Sequence, residues 1–388
     1  MSVQKPVPRL TMTNVGQLSE ADVEFGDLTV LVGPQASGKT VFLELLKLAI
    51  DTGYIHSQLT THGLDWDNDV ERFLNLYLGE GMARVRREDS TLSLDGSALS
   101  LSDLATRRNR SRKNRVFYVP AQRVMTISNG WPMPFQSYGP QDPYVVREFS
   151  ESFRRLMEKE VSTGGTLFPQ TQRLKKAYRT ALSRTIFHDF ELRIDKHGSR
   201  RQLVLGRSAD GTTIPFMTWS AGQREFVPLL MGLYWLLPAS KVSRRDDIEW
   251  VVLEELETGL HPSAITSVLL IVLDLLARGY RVCLSTHSPH VLEMVWAVGE
   301  LKRHTESAEA LLDLFEAPRN EQTRRVASAA LSKDFRVHFF DAAAGKTKDI
   351  SNLDPGAADL AESDWGGLTE FSSRAADTVA DVVAESHE

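Results

Sequence analysis

Five consecutive β-formers, Leu28-Thr-Val-Leu-Val32, run straight into Gly33-Pro34-Gln35-Ala36-Ser37-Gly38-Lys39-Thr40. An apolar pattern of helical period (Val41, Phe42, Leu45, Leu46, Leu48, Ala49) begins at once. Strand, glycine-bearing loop and helix in this order constrain the fold strongly, because the strand must deliver the loop to a helix start. Glycines at Gly33 and Gly38 let successive N–H groups turn inward on an anion with no Cβ in the way, and the positive end of the helix adds attraction. In such a phosphate loop Lys39 reaches the β- and γ-phosphates of a polyphosphate, and the Thr40 hydroxyl holds Mg²⁺.

The chain has 388 residues, enough for one large domain with an inserted lobe or for two domains. Its 42% hydrophobic and 25% charged residues are ordinary for a globular protein, and a net charge of −6 offers no global attraction to nucleic acid. The single cysteine, Cys283, excludes an intramolecular disulfide and a cysteine metal cluster; its surroundings suit a small buried hydrophobe in a reducing cytoplasm. No signal segment opens the chain and no apolar run reaches the ~18 residues of a membrane span, so no membrane contact is expected.

In chain order, residues 8–13 and 21–25 are expected as short strands forming an antiparallel layer over the phosphate loop. Residues 68–78 are helical in period, and 82–94 suggest a hairpin turning at Asp95-Gly96. The window Arg107–Arg115 is the most basic in the chain; it is either a solvated loop or a contact for a phosphate backbone or acidic partner. Residues 116–119 make a strand that leads to Gln122, placed to bridge a metal and an attacking water or simply a polar loop residue. An irregular loop at 132–143 precedes helical stretches at 144–161 and 171–187 and β-like pieces at 190–195, 202–206 and 212–218.

Ser220 stands at the N-cap of an apolar helix running to Leu237, with Gly222 and Gln223 in its first turn, a second helix start able to bind an anion. Residues 249–253 form a strand that is continuously apolar after Glu249, as in the middle of a parallel sheet, and it ends in Glu254-Glu255-Leu256-Glu257. Carboxylates at the C-terminal edge of such a strand lie where α/β sheets bind ligands: Glu254 suits a magnesium shell, and Glu255 suits orienting or deprotonating an attacking water. A helix over 263–278 and a strand over 281–285 then lead to His287, whose neutral imidazole can donate to a γ-phosphate. A helix near 306–316, strands at 336–340 and 347–350 and an amphipathic helix over 368–383 complete the chain. Asp354, Asp359, Glu362 and Asp364 are not anchored to strand ends and are not taken as a metal site.

The ordered set Gly33–Thr40, Gln122, Ser220-Ala-Gly222-Gln223, Glu254-Glu255 and His287 resembles ABC-type ATPase heads. Thr258-Gly-Leu-His-Pro262 and Ser285-Thr-His-Ser-Pro289 make it look most similar to the overcoming-lysogenization-defect (OLD)-like and recombination-repair branch. The resemblance implies an α/β P-loop NTPase with a mixed parallel sheet core, an N-terminal antiparallel layer and an inserted helical lobe. The expected divisions are 1–125 and 219–300 for the two ATPase lobes, 126–218 for the insert and 301–388 for an α/β extension. It implies ATP and Mg²⁺, and a head-to-tail dimer in which Ser220 and Gly222 of one subunit cap the ATP held by Gly33–Thr40 of the other. Ala221, Leu256 and Glu254 depart from the commoner glycine, proline and aspartate, and the Toprim nuclease of many OLD relatives is not expected within these 388 residues.

The function implied is a cytoplasmic ATPase working as a dimer switch, coupled to a separately encoded effector such as a nuclease in phage defence or DNA processing. The alternative is an ATP-clamped scaffold that binds a partner or DNA with little turnover. A transporter subunit is disfavoured, because Leu-Ser-Gly-Gly-Gln is absent.

Overall fold

The structure, a computed structural model, describes residues 7–106, 112–161, 165–197, 200–237, 244–245 and 247–385. The strands are β1 (Arg9–Val15), β2 (Leu18–Glu24), β3 (Leu28–Val32), β4 (Arg86–Leu94), β5 (Ser97–Leu99), β6 (Val116–Val119), β7 (Ile127–Ser128), β8 (Trp131–Pro132), β9 (Thr166–Phe168), β10 (Glu191–His197), β11 (Arg200–Gly206), β12 (Thr213–Pro215), β13 (Trp250–Glu254), β14 (Arg281–Ser285), β15 (Phe335–Asp341) and β16 (Lys346–Asp349). The helices are α1 (Lys39–Thr61), α2 (Val70–Leu78), α3 (Leu101–Thr106), α4 (Tyr144–Val161), α5 (Lys176–Leu182), α6 (Ala221–Leu236), α7 (Pro262–Ala277), α8 (Pro289–His304), α9 (Ala308–Leu314), α10 (Glu321–Leu331), α11 (Leu360–Ser363) and α12 (Glu370–Glu385).

Among the described residues a ten-stranded sheet runs β5-β4-β1-β2-β16-β15-β3-β14-β13-β6. Its half from β15 to β6 is parallel, and β1, β2, β4 and β5 are mutually antiparallel. This is the α/β fold with a mixed sheet that the sequence implies. β3, β6 and β13 are almost wholly apolar because both faces are covered, whereas β15, toward the antiparallel half, also carries Arg336, His338 and Asp341. Val251 and Leu253 of β13 join one core with α6 and α7, while Trp250 and Val252 face the other with α1 and α2. Cys283 is buried in that second core, and burial pushes its thiol up, as fits an inert side chain.

Several expectations change in detail. Residues 82–85 are a 3₁₀ turn, so the hairpin at Asp95-Gly96 joins β4 to β5. The stretch 171–174 is turn, and α5 begins at Lys176 and ends in a π-helical turn over Ser183–Phe187. The strand at 212–218 stops at Pro215, whose ring removes the next ladder donor. The 126–218 stretch carries a four-stranded antiparallel sheet, β12-β11-β10-β9, beside α4 and α5. Helices α8 and α10 are additional to the expected elements. The basic window falls largely on residues 107–111, outside the described residues; within it, Arg115 pairs with Glu249 at 2.6 Å. Asp354 and Asp359 accept N–H groups of Gly356 and Ala361, the work of turn and cap residues. No helix among the described residues is long and apolar enough to cross a membrane.

A buried ion cluster joins α1 to α4. Lys47, with no exposed surface, lies 3.2 Å from Asp51 and 3.0 Å from Glu148 and donates to the Val116 carbonyl at 2.7 Å. Asp51, at a kink in α1, accepts the N–H groups of Arg115 and Val116.

Candidate functional site

Parallel pairing puts the C-terminal ends of β3, β13, β14 and β6 on one edge, with Leu31 opposite Ser285, Glu254 opposite Ser285 and Val119 opposite Leu253. The loops leaving those ends therefore meet. Residues 35–41 together with Gln17, Glu255, Ser285 and His287 line a pocket of about 130 Å³.

The loop 33–40 has the backbone that an anion cradle needs. Gly33, Ala36 and Gly38 take φ of 144°, 57° and 97°, and Gly38 is the N-cap of α1. Both glycines also answer to close neighbours: a Cβ on Gly33 would lie 2.4 Å from the Phe340 carbonyl, and one on Gly38 2.8 Å from the Leu18 side chain. Ala36 takes the left-handed conformation without being glycine, and its carbonyl accepts from Gln17 Nε2 at 2.9 Å. Lys39 Nζ donates to the carbonyls of Gly33 and Pro34, each at 2.8 Å. Burial lowers its pKa to about 8, against the raising effect of Glu255, Glu254 and Glu257.

Glu254 is buried beside Thr40 and does not itself line the pocket. Burial pushes its carboxyl up, and Thr40 and the Ala121 N–H, 3.2 Å from Oε2, pull the other way. Its Oε1 is buried and makes no hydrogen bond. An orphaned carboxylate oxygen beside Thr40 fits a hard cation with oxygen ligands. No cluster of three His, Cys, Asp or Glu suited to a metal occurs among the described residues. Mg²⁺ needs none, since it is held by one or two carboxylates plus substrate phosphates.

Glu255 occupies the left-handed region at φ 44°, and its N–H donates to the Ser285 carbonyl at 2.9 Å. Its carboxylate, partly exposed, lies 3.7 Å from His287 Nε2 and accepts from Thr258 Oγ1 at 3.3 Å. Burial, then the charge of Lys39, lowers the His287 pKa, so the imidazole is neutral at pH 7.

Ser220, Gly222 and Gln223 lie outside this pocket. They form a capping box in which Ser220 Oγ accepts from the Gln223 N–H and the Gln223 side chain accepts from the Ser220 N–H. Ser220 is exposed, and Gly222 sits on the Gly259 carbonyl, 2.7 Å from where a Cβ would be. Gln122 is exposed at the end of the β6 edge and does not line the pocket.

Four further residues belong to the site. Glu257 Oε1 accepts the Thr286 hydroxyl at 2.8 Å and the His287 N–H at 2.7 Å, holding the turn that carries the imidazole. Glu44, one turn beyond Thr40, is buried; desolvation, then the charge of Glu254, holds its carboxyl well above the carboxylate range. Gln17 reaches the phosphate loop from the β1–β2 turn, and Arg123 is buried behind Glu254 and Glu255. The acidic run at 254–257 and the adjacency of Arg123 to Gln122 were the available signals, and neither specifies a contact.

Residues 70–293, more than half of the chain, match the family model described as "AAA domain, putative AbiEii toxin, Type IV TA system". The chain belongs to this AAA family. The match begins beyond the phosphate loop of this AAA-family chain, so Gly33–Thr40 rests on its own geometry. Among solved structures the AAA-family chain is similar to an SMC head bound to the C-winged helix domain of ScpA, at 10% identity and TM-score 0.36, covering 72% of this chain and 89% of that one. It is also similar to the SMC head domain from Thermotoga maritima, at 13% identity and TM-score 0.31, covering 74% and 92%. A bacterial ABC transporter cassette in a dimeric structure follows at 11% identity and TM-score 0.34, covering 73% and 90%. No curated protein sequence matches the chain.

Proposed function

We propose that the chain is a cytoplasmic ATPase of the OLD-like kind that hydrolyses ATP to ADP and phosphate and uses ATP-dependent head-to-tail dimerisation as a switch. The observation that carries this is the convergence of Lys39, Thr40, Glu255 and His287 on one pocket from three separate stretches of chain. Residues Gly33–Thr40 cradle the phosphates through their N–H groups, and Lys39 exchanges its backbone carbonyl partners for the β- and γ-phosphates. Glu255 orients the attacking water and takes its proton, while neutral His287 donates to the γ-phosphoryl oxygen. Thr40 and Glu254, with Gln122 as a further candidate, would hold Mg²⁺, which when bound neutralises charge on the phosphoryl oxygens. The exposed Ser220–Gln223 helix start caps the ATP of a second copy. The proposal that the switch acts on a separately encoded effector, such as a nuclease, and that Arg107–Arg115 meets nucleic acid, rests on the sequence resemblance and on charge.

Glu255→Gln tests the reading. It should abolish turnover and trap an ATP-bound dimer, seen by light scattering and by nucleotide retained through gel filtration. Unchanged turnover, or a wild-type monomer with no retained nucleotide, would replace this mechanism with the scaffold alternative or with none.

A further inference from the structure

Arg123 is fully buried, and it heads the large side chains that are. It lies on the 3₁₀ turn Arg123–Thr126, immediately after the β6 edge. Its guanidinium donates to three backbone carbonyls: Nη1 to Glu254 at 2.9 Å, Nη2 to Glu255 at 3.0 Å and Nε to Glu225 at 3.1 Å. The Glu225 carboxylate lies 3.8 Å from the same Nε. Two of these carbonyls belong to the residues of the carboxylate pair, Glu254 and Glu255, and the third belongs to the first turns of α6.

A buried guanidinium holds its planar fork of donors in fixed geometry, so acceptors bound to it are fixed relative to one another. Glu255 needs such support. It is a non-glycine residue at positive φ, a conformation that persists only where its surroundings impose it. That backbone sets the Cα–Cβ direction from which its carboxylate extends. The α6 start is in turn seated on the loop after Glu255, through Gly222 against the Gly259 carbonyl.

We propose that Arg123 is a positioning residue that links the aim of the Glu255 carboxylate to the placement of the α6 N-terminus, so that engagement of Ser220–Gln223 by the nucleotide of a second copy sets the base for catalysis. The inference rests on the proposed dimeric ATPase and adds to it a route from the capping helix of a subunit to that subunit's own base. A lysine at 123 keeps the charge and loses the fork.

The test uses the full chain in steady-state and single-turnover ATP hydrolysis, with fluorescent-nucleotide binding and denaturant unfolding alongside. Arg123→Lys should leave KM and nucleotide affinity within about threefold while kcat falls about 10- to 100-fold, the size of effect that misaiming a catalytic group produces. Glu225→Ala, which keeps the carbonyl acceptor and removes the facing carboxylate, should shift kcat in the same direction by less and serves if Arg123→Lys does not fold. Because Arg123 acts through Glu255, adding Arg123→Lys to Glu255→Gln should cost little of whatever slow single-turnover rate the Glu255→Gln dimer retains. Full kcat in both Arg123→Lys and Glu225→Ala, a loss confined to KM, or additive losses in the double variant would overturn the inference. Glu255→Gln with wild-type turnover would instead remove the ATPase reading on which it stands, so the two failures are distinguishable.

Discussion

Removing Glu257 should loosen both the fold and the site by an amount the structure allows to be worked out. Its Oε1 accepts two hydrogen bonds, from Thr286 Oγ1 at 2.8 Å and from the His287 N–H at 2.7 Å. Hydrogen bonds to a charged group are worth about 1.5–3 kcal/mol each, which sets a ceiling of roughly 3–6 kcal/mol for the pair. Glu257 and His287 are partly exposed, so water replaces some of what is lost, whereas Thr286 has no exposed surface and its hydroxyl would keep the Ser288 N–H it accepts but lose the acceptor for its own proton. The expected loss for Glu257→Ala is therefore about 2–4 kcal/mol. Glu257→Gln keeps an acceptor oxygen and puts its amide where Oε2 has no partner, so its loss should be about half as large. The imidazole reports the same event. Glu257 is one of two carboxylates raising the His287 pKa against burial and Lys39, so Glu257→Ala should move that pKa further down in an NMR titration. Urea unfolding gives the stability difference and ATP hydrolysis the functional one, with kcat expected to fall as the 286–287 turn loses its anchor. A Glu257→Ala variant that unfolds at the wild-type urea midpoint, with unchanged turnover and an unmoved His287 titration, would show that these bonds do not hold the turn.

Lys47→Met should cost about 3–5 kcal/mol in urea unfolding, since it leaves Asp51 and Glu148 buried without their cation; a loss below ~1 kcal/mol would contradict the cluster's role. Gly33→Ala should impair nucleotide retention and lose at least about 1–3 kcal/mol from backbone strain, because the new Cβ meets the Phe340 carbonyl; wild-type retention would refute this. Burial, opposed by a hydrogen bond to the Glu24 carbonyl, holds the His338 pKa below its ordinary 6.5. The unfolded chain thus binds the proton more readily, and this contribution is complete above pH 6.5 and lost as pH falls toward the folded pKa, at up to about 1.4 kcal/mol per pH unit. His338→Gln should therefore lose less stability than wild type between pH 7.5 and 5.5, and parallel curves would exclude the effect.

The local chemistry of the site was written in contiguous residues. The bounds of β3 and β14 follow from short β-forming runs, Leu28–Val32 stopped by Gly33 and Val282–Leu284 leading to Thr286-His287, and the α6 start from Ser220 with Gln223 three residues on. The carboxylate pair was legible because a strand covered on both faces shows no alternation and its end stands out.

Strand order was not legible. β15, more than 300 residues beyond β3, pairs with it in parallel and carries the Phe340 carbonyl against which Gly33 is packed. A run such as Phe335–Asp341 has the pattern of a strand but carries no mark of its neighbour. The same holds for Arg123 and Glu257, an arginine in a turn and one acid among several, whose roles exist only through carbonyls and N–H groups of distant residues. Backbone preference and side-chain periodicity act over a few residues and so determine elements, caps and the phosphate loop from sequence alone. Which strand lies beside which, and which buried charge meets which carbonyl, is settled by the collective burial of both sheet faces, and only the tertiary structure decided it.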